Sequence, residues 1–122
     1  MNNQRTMSLA KLLREFAPVE QLQTPGHSWD TEAAWLKTNH PRRLARVRRS
    51  IERLGIEDPI QLCYGHPDCG TERHVVDGHH RIVIARDLGI KRLPVGDAWA
   101  PGADWFMGAS DQLGDDPEEA TP

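Results

Sequence analysis

A chain of 122 residues with 38% hydrophobic and 27% charged side chains can bury one modest core, so a single small domain is expected. The formal charge of −3 conceals an asymmetry: all 15 Lys and Arg lie at or before Arg92, where 11 acids leave that part at +4, and the last 30 residues carry seven acids and no base. No apolar run approaches the roughly 18 residues of a spanning helix and "MNNQRTMSLAKLL" has no apolar signal block, so the expectation is a cytoplasmic protein without a membrane partner, whose Cys63 and Cys69 stay reduced.

In chain order, Ser8 suits the N-cap of a short helix with Leu9, Leu12, Leu13 and Phe16 at helical spacing, stopped by Pro18. "VEQL" reads as a short strand and "TPGH" as a turn. "DTEAAWLKTN" gives a second helix, capped by Asp30 or Thr31. Pro41 suits a first helical position, so a third helix is expected from about His40 to Leu54, with Gly55 as its left-handed terminator and Leu44, Val47, Ile51 and Leu54 as its apolar stripe. "PIQLCY" and "RHVVD" read as strands joined by a Gly- and Pro-rich loop. Ile82, Ala85 and Leu88 mark a short helix ending at Gly89, in which Val83 and Ile84 imply burial on more than one side, and "IKRLPV" is a last strand. The fold class is therefore α/β or α+β, a small mixed sheet with flanking helices. Three segments follow: an N-terminal helix over 1–16, the main domain over 17–95, and an acidic tail over 96–122 with the solvated composition of disorder.

Two features carry chemistry. On the third helix, Arg42, Arg46, Arg49 and Arg53 fall on one line opposite the leucines, flanked by Arg43 and Arg48. Guanidinium groups match phosphate oxygens in pairs, so this face is a candidate surface for DNA or another polyanion; the alternative is an ordinary solvated face. The second feature is "VVDGHHR". A strand that turns at Asp77-Gly78 into a helix presents unpaired amides and a positive partial charge to an anion. Gly78 allows the bend, Arg81 can fork onto phosphate, and His79 and His80 add donors, which together make a phosphate seat. The alternative is that Arg81 pairs with Asp77 or Asp58 and merely holds the loop.

The segment "SIERLGIEDPI" (Ser50 to Ile60) followed by "VVDGHHRIVIARDLGIKRLPV" (Val75 to Val95) resembles the N-terminal domain of ParB-type partition proteins, in the ParB/sulfiredoxin superfamily. An SIxxxGIxxPI pattern is met at Ser50, Ile51, Gly55, Ile56, Pro59 and Ile60, and a GxxRxxxAxxxG pattern at Gly78, Arg81, Ala85 and Gly89. The resemblance implies a nucleoside triphosphate, CTP or ATP with Mg²⁺, whose phosphates are held by Gly78, His79, His80 and Arg81 and whose pocket is walled by Gly55, Ile56 and Pro59. It covers roughly residues 17 to 95. Where ParB proteins have Glu-Arg this chain has His79-His80, and no helix-turn-helix follows Val95, so a full sliding clamp is not implied. Sulfiredoxin's catalytic cysteine falls at His79, so that activity is not expected either.

In length and in the "DGHHR" wording the chain resembles the stand-alone ParB-like nuclease domains of phages and plasmids. The expected function is thus a nucleotide- and/or DNA-binding module. The alternatives are a small nuclease or nucleotide hydrolase, with Asp77, His79 and His80 as acid and base groups around a divalent metal, and an interaction protein that kept the fold without the ligand and binds a protein partner or a second copy of itself. Cys63, His66, Cys69 and His74 are zinc-type ligands in a spacing that matches no standard finger. Trp99, Trp105 and Phe106 are expected to cover the core.

Overall fold

The computed structural model describes residues 5–19, 26–65 and 72–99. Chain order is β1 (Arg5–Ser8), α1 (Leu9–Glu15), β2 (Ala17–Pro18), α2 (Trp29–Asn39), α3 (Pro41–Leu54), β3 (Ile60–Cys63), β4 (His74–Asp77), α4 (His79–Leu88) and β5 (Arg92–Asp97). The strands form one mixed sheet in the order β1-β5-β3-β4-β2. β1 pairs antiparallel with β5, β3 antiparallel with β4, and β3 runs parallel to β5, as β2 does to β4. This is the mixed α/β architecture expected from the sequence.

Local chemistry explains most boundaries. The Ser8 side chain accepts from the Lys11 amide at 3.1 Å and opens α1. α2 begins earlier than expected: Ser28, rather than Asp30 or Thr31, is its N-cap and accepts from the Thr31 amide. Asp30 and Glu32 then lie in the first turn, where the exposed amides favour carboxylates. Pro41 starts α3, and Gly55 ends it with φ 75° and ψ −173°, a glycine conformation beyond the left-handed helical one that was expected. Gly89 closes α4 in the true left-handed region, φ 74° and ψ 24°.

Two strands were not foreseen: β2 has only two residues, and β1, "RTMS", has a single apolar side chain and so shows no alternation. β1 gains its ladder only by lying against β5. Pairing at the other edge uses Ala17 and Pro18 against His74 and Val75, ahead of the expected "VEQL" strand, of which residues 20–22 lie outside the described residues. Proline is tolerated there because an edge strand has one unpaired side.

The core has two parts, and α4 joins them. Its Ile82 and Ala85 face the sheet with Leu9, Leu12, Phe16, Trp29, Leu62 and Leu93, while Val83 and Ile84 pack with Ala33, Leu36, Leu44 and Ile51 of α2 and α3. That two-sided burial is the one implied by the sequence. Segment 5–16 shares the sheet and core with the rest of the domain. Leu54, counted in the apolar stripe, is instead 53% exposed; it is the last helical residue and is not among those packed on α4.

The turn into α4 is the tightest point. Gly78 has φ +120°, and a Cβ there would lie 2.7 Å from the Ile60 Cδ1 atom, with Ile60 fully buried. Gly78→Ala is therefore expected to cost about 2–4 kcal/mol, the sum of backbone strain and overpacking, read as a lower urea midpoint at unchanged m-value. Ile60→Val in the same background should recover part of the loss; full stability in Gly78→Ala would refute this account.

Candidate functional site

The arginine face stands where the spacing placed it. Arg42, Arg46, Arg49 and Arg53 are all exposed along α3, within an arc of about 60°, while Leu44 and Ile51 are buried on the opposite side. Arg48 pairs with Glu52 at 3.3 Å on the exposed surface. Arg43 departs from the flanking role expected of it: it is only 7% exposed and lies close enough to His80 to act on that ring's charge. Among the described residues, Arg49 and Arg53 have no acidic partner.

The α4 corner is built differently from the expected outward-facing seat. Gly78, His79 and His80 are buried. His79 Nε2 accepts from the Val19 amide at 3.1 Å, which fixes the proton on Nδ1, and the ring lies 5.6 Å from that of Trp29. His80 Nε2 is 3.0 Å from His40 Nδ1, with the two rings stacked at 10°. Its own Nδ1 is buried with no hydrogen-bond partner among the described residues. Arg81 Nη1 donates to the backbone carbonyls of Asp58 and Pro59, and Nη2 lies 3.5 Å from Asp77 Oδ2. The alternative noted for Arg81, a clamp on its own loop, is thus realised in this conformation, and the imidazoles act as internal struts rather than outward donors. A helix start enclosed by its own chain leaves the amides little room for an external anion.

Arg81 nevertheless borders an opening. A cleft of about 130 Å³ lies between α3, at Val47, Ser50 and Ile51, and the loop 55–58, at Gly55, Ile56, Glu57 and Asp58, with Arg81 at its inner end. The expected pocket residues Gly55, Ile56 and Arg81 therefore converge; Gly78, His79, His80 and Asp77 do not line the cleft, and Pro59 touches it only through its bond to Arg81. Ser50 and Glu57 were missed as lining residues, although both stand inside the quoted motif. The volume holds part of a nucleotide, since ligand sites that enclose drug-sized molecules run to about 300 Å³ or more.

A larger cleft, about 650 Å³, was not foreseen at all. Its floor includes Phe16, Pro18 and Trp29, and its rim carries Arg14, Arg73 and Arg86. Those cations are already answered: Arg86 meets Asp30 at 2.9 Å, and Arg73 meets Glu15 at 3.2 Å. The Trp29 indole N–H donates to the Phe16 carbonyl at 2.8 Å, a use of the ring as core rather than as a ligand contact.

The cysteine expectation is overturned. Cys63 is disulfide-bonded, so its sulfur is not the thiolate that a zinc site requires. His74, the other member of that set within the described residues, is buried in β4 with Nδ1 2.9 Å from the Glu72 carbonyl; His66 and Cys69 lie outside. Trp99 is 40% exposed rather than laid over the core, and Trp105 and Phe106 also fall outside the described residues. No described helix is long and apolar enough to cross a membrane. In comparisons with known proteins, no family model, curated protein or solved structure matches this chain.

Burial sets the protonation of the corner. It lowers the His79 pKa from 6.5 to about 4, with His74 and His27 adding to the effect and Asp77 opposing it. It lowers that of His80 to about 3, reinforced by Arg43, His40, His79 and Arg81. Between those values and 6.5 the unfolded chain binds the protons that the folded one refuses, so stability rises with pH across this window. The contribution is complete above about pH 6.5 and is lost as pH falls toward 4 and 3, at up to about 1.4 kcal/mol per pH unit for each ring. Urea midpoints should accordingly drop between about pH 7.5 and about pH 5, and less steeply in His80→Gln. Identical pH slopes in the two proteins would mean that the His80 ring titrates as if it were in water.

Proposed function

We propose that this chain is a ParB-like, DNA-associated binding module whose polyanion surface is the arginine face of α3. The observation that supports this reading is the alignment of Arg42, Arg46, Arg49 and Arg53, all exposed, on the side of α3 turned away from Leu44 and Ile51. A helix packed by one face and armed with guanidinium groups on the other offers phosphate contacts at fixed spacing. The motif resemblance points the same way, and the convergence of Gly55, Ile56 and Arg81 on one cleft favours a nucleoside triphosphate, CTP or ATP with Mg²⁺, as a second ligand. In that reading the phosphates meet Arg81 from the α3 side, with Ser50 as an added hydroxyl, and Arg81 exchanges the Asp58 and Pro59 carbonyls for phosphate oxygens. His79 and His80 then hold the corner without touching the ligand. A nuclease or hydrolase built on Asp77, His79 and His80 is the weaker reading, since those groups are bound to Arg81, Val19 and His40. The reading implies a cytoplasmic setting, where the Cys63 disulfide would be open to reduction.

Duplex DNA titrated across a salt series tests the surface. Four phosphate contacts give log K against log salt a slope of about −3.6, and each Arg→Gln change at 42, 46, 49 or 53 should flatten it by about 0.9. A slope unaltered by the fourfold substitution would remove α3 from the interface. For the second ligand, calorimetry with CTP, ATP and GTP plus Mg²⁺ should give micromolar binding of at least one, lost in Arg81→Ala. Because Arg81 also ties the 58–59 loop to α4, the variant's melting curve is taken in parallel; equal heats from a folded variant would retire the triphosphate assignment.

A further inference from the structure

We propose that the Trp35 indole is a stacking platform for an unpaired base, so that this module takes single-stranded nucleic acid along α3. The inference rests on the polyanion reading of that helix and adds the class of strand. Two tryptophans lie on α2 and the fold treats them differently. Trp29 is 7% exposed and bonded to the Phe16 carbonyl, whereas Trp35 is 50% exposed on the outer side of the helix, where the core gains little from it. Trp35 is also braced. Its ring meets His40 edge-on at 5.1 Å and 78°, and His40 is stacked in turn on the buried His80. A large flat ring held this way loses little conformational freedom when a second ring stacks on it.

The position of the ring decides what it suits. His40 is the N-cap of α3, so Trp35 stands at the start of the helix on which the four exposed arginines follow. From Arg42 to Arg53 the axis rises by about 16 Å, long enough to meet several successive phosphates of one strand. An exposed aromatic ring together with a cationic surface is the combination by which proteins hold unpaired strands, because every base has a face to stack while a duplex keeps its bases inside. The centre of a protein interface, by contrast, is depleted of charge. The exposed Leu54 is the last residue of α3, at the end of that helix away from His40 and Trp35, and does not extend the indole into an apolar patch.

Anisotropy of labelled oligothymidylate, oligouridylate and a duplex of equal length, each against the full chain, provides the test. Both single strands should bind more tightly than the duplex. Trp35→Ala should weaken them about tenfold while leaving duplex affinity and the salt slope unchanged, and Trp35→Phe should keep most of the affinity. A difference between the two oligonucleotides distinguishes DNA from RNA as the natural strand. Equal losses on single strands and duplex, or no loss on either, would overturn the platform while leaving the α3 reading intact; no salt-dependent binding to any of the three would overturn both. Sedimentation that changes in Trp35→Ala without a change in single-strand affinity would assign the indole to self-association instead.

Discussion

Arg81 holds partners from two directions at once: the carbonyls of Asp58 and Pro59 in the loop that leaves α3, and the carboxylate of Asp77 at the end of β4. With the guanidinium in place, the 55–59 loop is fastened to the first turn of α4, β3 begins beside β4, and Gly78 is pressed so closely on Ile60 that no side chain fits. Charge-assisted bonds to backbone carbonyls are strong when partly buried, and few cations satisfy three acceptors without moving. The loop that leaves α3 is therefore held by a residue on another helix, while α3 itself is seated by Leu44 and Ile51. The same clamp closes the helix start that an anion would otherwise occupy, so under the proposed triphosphate reading stability and ligand capture would compete for one side chain.

The two histidines beside that clamp extend it through neutral contacts. His79 fastens α4 to Val19 and Trp29, and His80 fastens it to His40 at the joint of α2 and α3. Buried imidazoles at depressed pKa behave as hydrogen-bonding rings rather than as charges, which is why they sit beside Arg43 and Arg81 without repulsion. The corner thus depends on its rings staying unprotonated, and the elements they link are those that carry the arginine face.

Charge is distributed by the same logic. Around the larger cleft each of Arg73 and Arg86 is matched to a carboxylate, so its field is largely cancelled. Along α3, Arg48 meets Glu52 on the exposed surface of the same helix. The polyanion surface proposed for α3 is an exposed helix face rather than a hollow.

The sequence by itself determined the features that depend on neighbours a few residues apart: the bounds of α3 from Pro41 and Gly55, the arginine line opposite Leu44 and Ile51, strands β3 and β4, and the Gly78 and Gly89 turns, because caps, helical spacing and glycine conformations are local. It also held a signal for the cap of α2, since Ser28 precedes two acids in the first turn, although Asp30 and Thr31 looked equally suitable. Only the tertiary structure decided what Arg81, His79 and His80 touch, that β1 and β2 exist as edge strands, and that Trp35 faces outward while Trp29 faces in. Most of those outcomes turn on partners remote in sequence, such as Phe16 for Trp29, Val19 for His79 or β5 for β1, and no local pattern encodes which of several available donors a buried ring will meet. A guanidinium at a helix start looks the same in sequence whether it waits for phosphate or grips its own loop; the carbonyls of Asp58 and Pro59 become its acceptors only once β3 and β4 have paired.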